Sequence, residues 1–141
     1  MFEVFDLPVV RLIIAALAGL FIGFTRRRMN VGGRTFALIA LGSAIFTIVS
    51  VETAIYAVEG GLVPTADPTR VIAQIVSGIG FLGVGVIWKS NARVGGLTTA
   101  ATIWVTAGLG ILAGLAMWDL LLASFVISLL TLHSKHALKE D

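Results

Sequence analysis

Residues 67–88 read Asp67-Pro68-Thr69-Arg70-Val71-Ile72-Ala73-Gln74-Ile75-Val76-Ser77-Gly78-Ile79-Gly80-Phe81-Leu82-Gly83-Val84-Gly85-Val86-Ile87-Trp88. Asp at an N-cap followed by Pro at the first helical position starts a helix: the carboxylate accepts an orphan backbone N–H, and proline's missing N–H costs nothing there. The run Val71–Trp88 that follows is apolar and close to the ~20 residues a helix needs to cross hydrocarbon. Read as text, Gly78-Ile79-Gly80-Phe81-Leu82-Gly83 fits the dinucleotide fingerprint G-x-G-x-x-G. That fingerprint requires a preceding strand in a soluble βαβ unit, and here it lies inside a membrane-length run. No nucleotide is expected there.

The rest of the chain agrees with a membrane reading. Of 141 residues 57% are hydrophobic and only 13% charged, with a mean hydropathy of +1.01. A soluble domain carries about a quarter charged residues, so a soluble enzyme, a disordered tail and a basic nucleic-acid module are all disfavoured. The absence of cysteine excludes disulfides, thiolate catalysis and Cys-ligated zinc. The expected fold is an all-α polytopic bundle of five transmembrane helices in one domain, residues 1–141, at about 7–25, 35–58, 69–88, 97–116 and 119–133. The first apolar run is no cleavable signal, because its cations Arg26-Arg27-Arg28 follow the run instead of preceding it. No soluble C-terminal domain is expected after the fifth helix.

Charge sets the orientation. With five crossings, one side holds Arg26, Arg27, Arg28, Arg34, Lys89, Arg93, Lys135 and Lys139, whereas the other holds Arg11 and Arg70 with Asp6, Glu59, Asp67 and Asp119. The cation excess places the N-terminus outside and the C-terminus in the cytoplasm. Trp88 and Trp118 fall at expected helix ends, at the level where indoles prefer to lie. Val31-Gly32-Gly33-Arg34-Thr35-Phe36-Ala37 echoes Val94-Gly95-Gly96-Leu97-Thr98-Thr99-Ala100, each where a cytoplasmic loop enters a helix.

At 100° per residue, Thr98, Thr99, Thr102, Thr106, Gly110 and Ala113 share one face of the fourth helix, and Leu97, Trp104, Ile111 and Leu115 share the other. The first face should look into the bundle and the second at lipid. The threonines either return their hydroxyls to carbonyls one turn back or line a polar pathway. The third helix carries Arg70, Gln74, Ser77, Gly78 and Gly85 on one face and Gly80 and Gly83 on the other. Close neighbours are expected on both sides, which would make this helix central. Gly19-x-x-x-Gly23 and Gly110-x-x-x-Gly114 are close-packing motifs.

Arg11 lies roughly 7 Å inside the outer boundary at 1.5 Å per residue. It either snorkels or, with the other outer-level cation Arg70, pairs with Asp67, Glu52 or Asp6, and Asp67 and Arg70 are close enough at one helix start to pair locally. Glu52 projects away from the small stripe Ser43, Thr47, Ser50 and reads as interfacial. His133 and His136 have no third ligand at metal-binding spacing, and no nucleophile–base–orienter set can be assembled. Neither catalytic residues, nor a metal site, nor a cofactor is expected, and the chain reads as a non-enzyme. Its functional polar residues are Arg11, Arg34, Asp67, Arg70, Gln74, Ser77, Thr98, Thr99 and Thr102.

The stretch Asp67–Ile87 resembles the signature of the MgtC/SapB family of bacterial inner-membrane proteins. Gly96-Leu97-Thr98-Thr99-Ala100-Ala101-Thr102-Ile103-Trp104 is similar to its second signature, and Gly33-Arg34-Thr35 to its first loop. The resemblance implies a role in growth at low magnesium and, in pathogens, in survival inside macrophages, for some members by restraining the F-type ATP synthase. The chain departs from the family at Phe24-Thr25-Arg26, where an acidic residue is frequent, and at Thr98, where virulence-type members carry Asn. Two function classes follow. One is a regulatory protein docking on another membrane complex, with the bilayer and a homo-oligomer as its other partners; the alternative is a small oligomeric magnesium transporter or channel. Mg²⁺ prefers carboxylates in octahedral geometry, and no two acidic residues lie deep in the expected core. This favours the regulatory class.

Overall fold

The structure, a computed structural model, describes residues 7–25, 31–63, 65–90 and 93–134. Five helices are described: α1 (Pro8–Phe24), α2 (Gly33–Glu59), α3 (Thr69–Gly85), α4 (Leu97–Gly114) and α5 (Trp118–His133). A hairpin of β1 (Trp88–Ser90) and β2 (Arg93–Gly95) joins α3 to α4. By length and composition α2, with 27 residues, and α4, with 18, can cross a membrane, whereas α1, α3 and α5 are apolar but shorter. Asp6, the Arg26–Arg28 cluster, Lys135, His136 and Lys139 lie outside the described residues.

The expected centre of the bundle is corrected. α4, not α3, packs against each of α1, α2, α3 and α5, whereas α3 packs on α4 and α2. Glycine placement explains this. Gly19 and Gly23 on α1 lie against the α2 backbone at Phe36 and Gly33, while Gly110 and Gly114 on α4 lie against Ala40–Ser43 and Ala44–Thr47. A side chain at any of the four would collide with backbone or Cβ atoms of α2, so two G-x-x-x-G pairs clamp it from both sides. The core follows the same seam: Ile22, Phe36, Ile39, Ile103, Ala107 and Leu109 form one cluster, and Ala15, Ala40, Ala44, Ala113 and Leu121 another. Phe21 of α1 meets Phe125 of α5 edge-to-face at 6.4 Å between centroids, which seats α5 on the bundle.

On α3 only Gly83 is buried, with Ala100 of α4 within 3.7 Å of where its Cβ would stand. Around Gly78, Gly80 and Gly85 nothing lies within 4 Å, so close packing on both faces does not occur within one chain. In α4 the expected sides hold, with Thr99, Thr102, Thr106, Gly110 and Ala113 buried and Leu97 and Trp104 exposed. Ile111 is the exception at 8% exposure, because the α4 end is surrounded on nearly every side.

The third helix ends three residues earlier than expected. After Gly85 the chain turns at Val86-Ile87 and pairs Trp88 with Gly95, Lys89 with Val94 and Ser90 with Arg93. The Trp88 indole lies where a Gly95 side chain would stand, and a Cβ on Gly96 would strike the Val86 carbonyl. Gly96 also has φ +85°, the left-handed region that glycine enters without penalty. Both halves of the sequence echo therefore precede helices, but Gly32 caps α2 at φ −79° and Gly96 caps α4 at +85°. The α4–α5 turn places Ala116 at φ 56°, with Met117 N–H donating to the Leu112 carbonyl, a Schellman closure.

Candidate functional site

The polar residues singled out above separate into two ends of the bundle. Arg11, Asp67 and Arg70 lie at one end, with the α4 C-terminus and the α3 N-terminus; Arg34, Thr98 and Thr99 lie at the other, on the first turns of α2 and α4.

Among the described residues Arg11 meets a backbone carbonyl and no carboxylate. It is half-buried, and its Nη1 donates to the Gly114 carbonyl at 3.2 Å, across 103 residues of chain. That carbonyl is one of the orphan acceptors at the end of α4, where the helix dipole is negative. Arg11 thus caps α4 from α1. Its Nε is buried with no partner among the described residues.

The α3 helix starts one residue later than the Asp-Pro motif indicates, with Pro68 in the N-cap position, and Asp67 just before it still holds the first turn. Its Oδ1 accepts from the Thr69 backbone N–H at 2.9 Å and from the Thr69 hydroxyl at 2.6 Å. Ser50 of α2 donates its hydroxyl to the Pro68 carbonyl at 2.9 Å, tying this start to α2. The Thr69 hydroxyl and then the Thr69 N–H hold the Asp67 carboxyl below its ordinary value; desolvation opposes them, and the charge of Arg70 adds the smallest lowering influence. A lowered folded-state pKa contributes stability that is present above the ordinary carboxylate value and is lost as pH falls through the lowered one. The thermal midpoint of the wild type in detergent should therefore fall towards that of Asp67→Asn as pH drops below about 4, the ordinary aspartate value. Parallel curves for the two proteins over that range would show that the cap is not charge-dependent.

Arg70 and Gln74 are exposed on α3. Gln74 lines a groove of about 570 Å³ between α2 and α3, with Gly42, Ser43 and Phe46 on one wall and Val71, Gly78 and Leu82 on the other. Ser77 and Gly85 are also exposed, while Gly83 faces α4.

The threonine ladder of α4 bonds to its own backbone. Thr102 donates to the Thr98 carbonyl at 2.6 Å and Thr106 to the Thr102 carbonyl at 2.8 Å, and Thr47 of α2 does the same to Ser43 at 2.8 Å. The hydroxyls thus fill space between tightly packed helices. Among the described residues no three His, Cys, Asp or Glu side chains come together. Sequence reasoning missed Ser50 as a tie to α3, and it missed the hairpin that presents Lys89 and Arg93 at the Arg34 end. A short apolar–polar alternation flanking Asn91 was the available signal for that hairpin.

The MgtC family model matches residues 12–141. The chain belongs to the MgtC family. It is 43% identical over 135 residues to a protein of Escherichia coli K12 named "Putative magnesium transporter YhiD", covering 92% of this chain and 61% of the relative. It is 43% identical over 123 residues to MgtC of Salmonella typhimurium LT2, covering 86% of this chain and 49% of that protein. An uncharacterized protein of Haemophilus influenzae is 42% identical over 121 residues, 83% of this chain and 51% of its own. The chain thus spans half to three-fifths of the length of these family members. No solved structure matches.

Proposed function

We propose that this MgtC-family chain is a multi-pass inner-membrane protein with five crossings, its N-terminus outside and its C-terminus cytoplasmic. It acts without catalysis as a regulatory interaction protein in adaptation to low magnesium or intracellular stress. The observation that carries this reading is where the polar groups go. Thr102 and Thr106 of α4 are bonded back onto their own helix and the α1–α2–α4 seam is closed by glycine contacts, while Arg70 and Gln74 of α3 are exposed. A bundle built this way favours recognition at its surface over conduction through its centre. An F-type ATP synthase is the kind of membrane complex that the family resemblance suggests as the partner.

The printed name of the E. coli relative favours a second reading, magnesium transport by an oligomer. Proteoliposomes of pure protein distinguish the two. Under the regulatory reading the Mg²⁺ flux equals that of empty liposomes; flux that saturates with Mg²⁺ overturns it. Orientation has its own test, since the chain contains no cysteine. Single cysteines at Ser90 and Gly61 should label from opposite sides of the membrane, and labelling of both from outside would overturn the five-crossing arrangement.

A further inference from the structure

The outward face of α3 is the part of the molecule whose exposure the bilayer makes hardest to understand. At 100° per residue, Gln74 and Phe81 point almost directly away from Gly83, the α3 residue seated on α4, with Arg70 and Gly85 close on either side. Phe81 is 82% exposed and Gln74 is exposed as well. In hydrocarbon an amide that meets no donor or acceptor is costly, and lipid tails supply none. Positions 70, 74, 81 and 85 span 15 residues in four turns, close enough to about 3.6 per turn to keep all four on one stripe of the helix.

We propose that this face is the contact between two copies of the chain, α3 against α3 about a two-fold axis along the membrane normal. The proposal rests on the bilayer placement given above, because the positive-inside rule inserts both copies the same way up and makes the two α3 helices parallel. Self-complementarity selects a second copy as the occupant. A two-fold contact sets residue i against j and j against i. Asp67 and Arg70, one turn apart at the outer end of α3, carry opposite charges, and among the described residues Arg70 has no hydrogen bond or ion pair of its own. The two-fold offers each Arg70 the partner's Asp67. The Gln74 amide is both donor and acceptor, so it satisfies its own copy as no cation or carboxylate would. Gly85, with open space around it, allows the two backbones to approach, while Gly78 stays on the α2 side in the groove wall.

Disulfide cross-linking in native membranes tests this, since any cysteine introduced is the only one in the chain. On a two-fold seam a residue faces its own copy, so Gln74→Cys and Phe81→Cys should each give a covalent dimer on oxidation. The exposed α5 residue Ile127, as Ile127→Cys, is the control; the seam positions should exceed it on the order of tenfold, because helices packed at 8–10 Å hold facing positions together. Gly85→Leu, on the outward face with nothing within 4 Å, should leave the folded yield unchanged and convert the dimer to monomer in light scattering of the detergent-solubilised protein. No cross-link at either seam position, or equal cross-linking at Ile127→Cys, overturns the proposal, as does a wild type that is monomeric both in membranes and in detergent. Labelling of Ser90→Cys and Gly61→Cys from opposite sides alongside a failed cross-link would overturn the dimer and leave the bilayer placement standing.

Discussion

Gly110→Leu should leave almost no monodisperse protein after extraction, whereas Gly78→Leu should extract like the wild type. A Cβ at Gly110 would collide with the Ala40 carbonyl oxygen, with Ser43 Cβ at 2.8 Å and the Ala40 carbonyl carbon at 2.9 Å close behind. Backbone cannot rotate away as a side chain tip can, so α4 would have to separate from α2. The larger side chain also disturbs the neighbouring contact of Gly114 with Thr47 and Ala44 on the same face. Overpacking of this kind costs on the order of 3 kcal/mol or more, a large share of the 5–15 kcal/mol by which a domain is typically stable. Gly110→Ala, which adds the Cβ alone, should lie between the two. Size-exclusion yield and thermal midpoint in one detergent are the measurements, and a wild-type yield for Gly110→Leu would refute the α2–α4 clamp.

Arg70→Ala should abolish function while leaving membrane insertion and protein level intact. Arg70 is exposed and sits at a helix N-terminus, where a cation opposes the dipole by a few tenths to about 1 kcal/mol. Removing it should therefore cost folding almost nothing. What it loses is a guanidinium directed out of the chain beside the Asp67 cap. Arg70→Lys should rescue poorly, since lysine keeps the charge and loses the planar fork that grips a carboxylate in two places. Growth at limiting magnesium of cells that depend on this chain, with the protein level followed by blot, is the readout. Full growth of the Lys variant would reduce Arg70 to a generic charge, and disappearance of the Ala variant from the blot would make its role structural.

The positions of the helices could be read from the apolar runs, because hydrocarbon and protein cores impose the same simple demand. The end of α3 could not. Val86-Ile87-Trp88 is as apolar in a strand as in a helix, and what ends the helix is Gly96 fitting beneath the Val86 carbonyl ten residues later. The pairs Gly19/Gly23 and Gly110/Gly114 were legible as packing sites from their spacing of four. The glycines of α3 were harder, since the same spacings describe a helix with a neighbour and one whose neighbour lies outside the chain. Threonines at 102 and 106 show their fate in the sequence, because a hydroxyl four residues after a carbonyl lies directly over it. Arg11 shows nothing of its acceptor, which has no local signal.

That acceptor has a consequence for how the molecule is made. Ribosomes add about 5–20 residues per second, so the 103 residues that separate Arg11 from Gly114 take roughly 5–20 s to synthesise. For most of that interval α1 is complete and α4 has not been started. The nascent first segment must keep its guanidinium solvated, at the aqueous margin or within the translocation machinery, and its final depth is set only when the fourth segment arrives. Biogenesis of this chain is therefore a sequence with a late commitment: the earliest segment to emerge is among the last to be fixed in place.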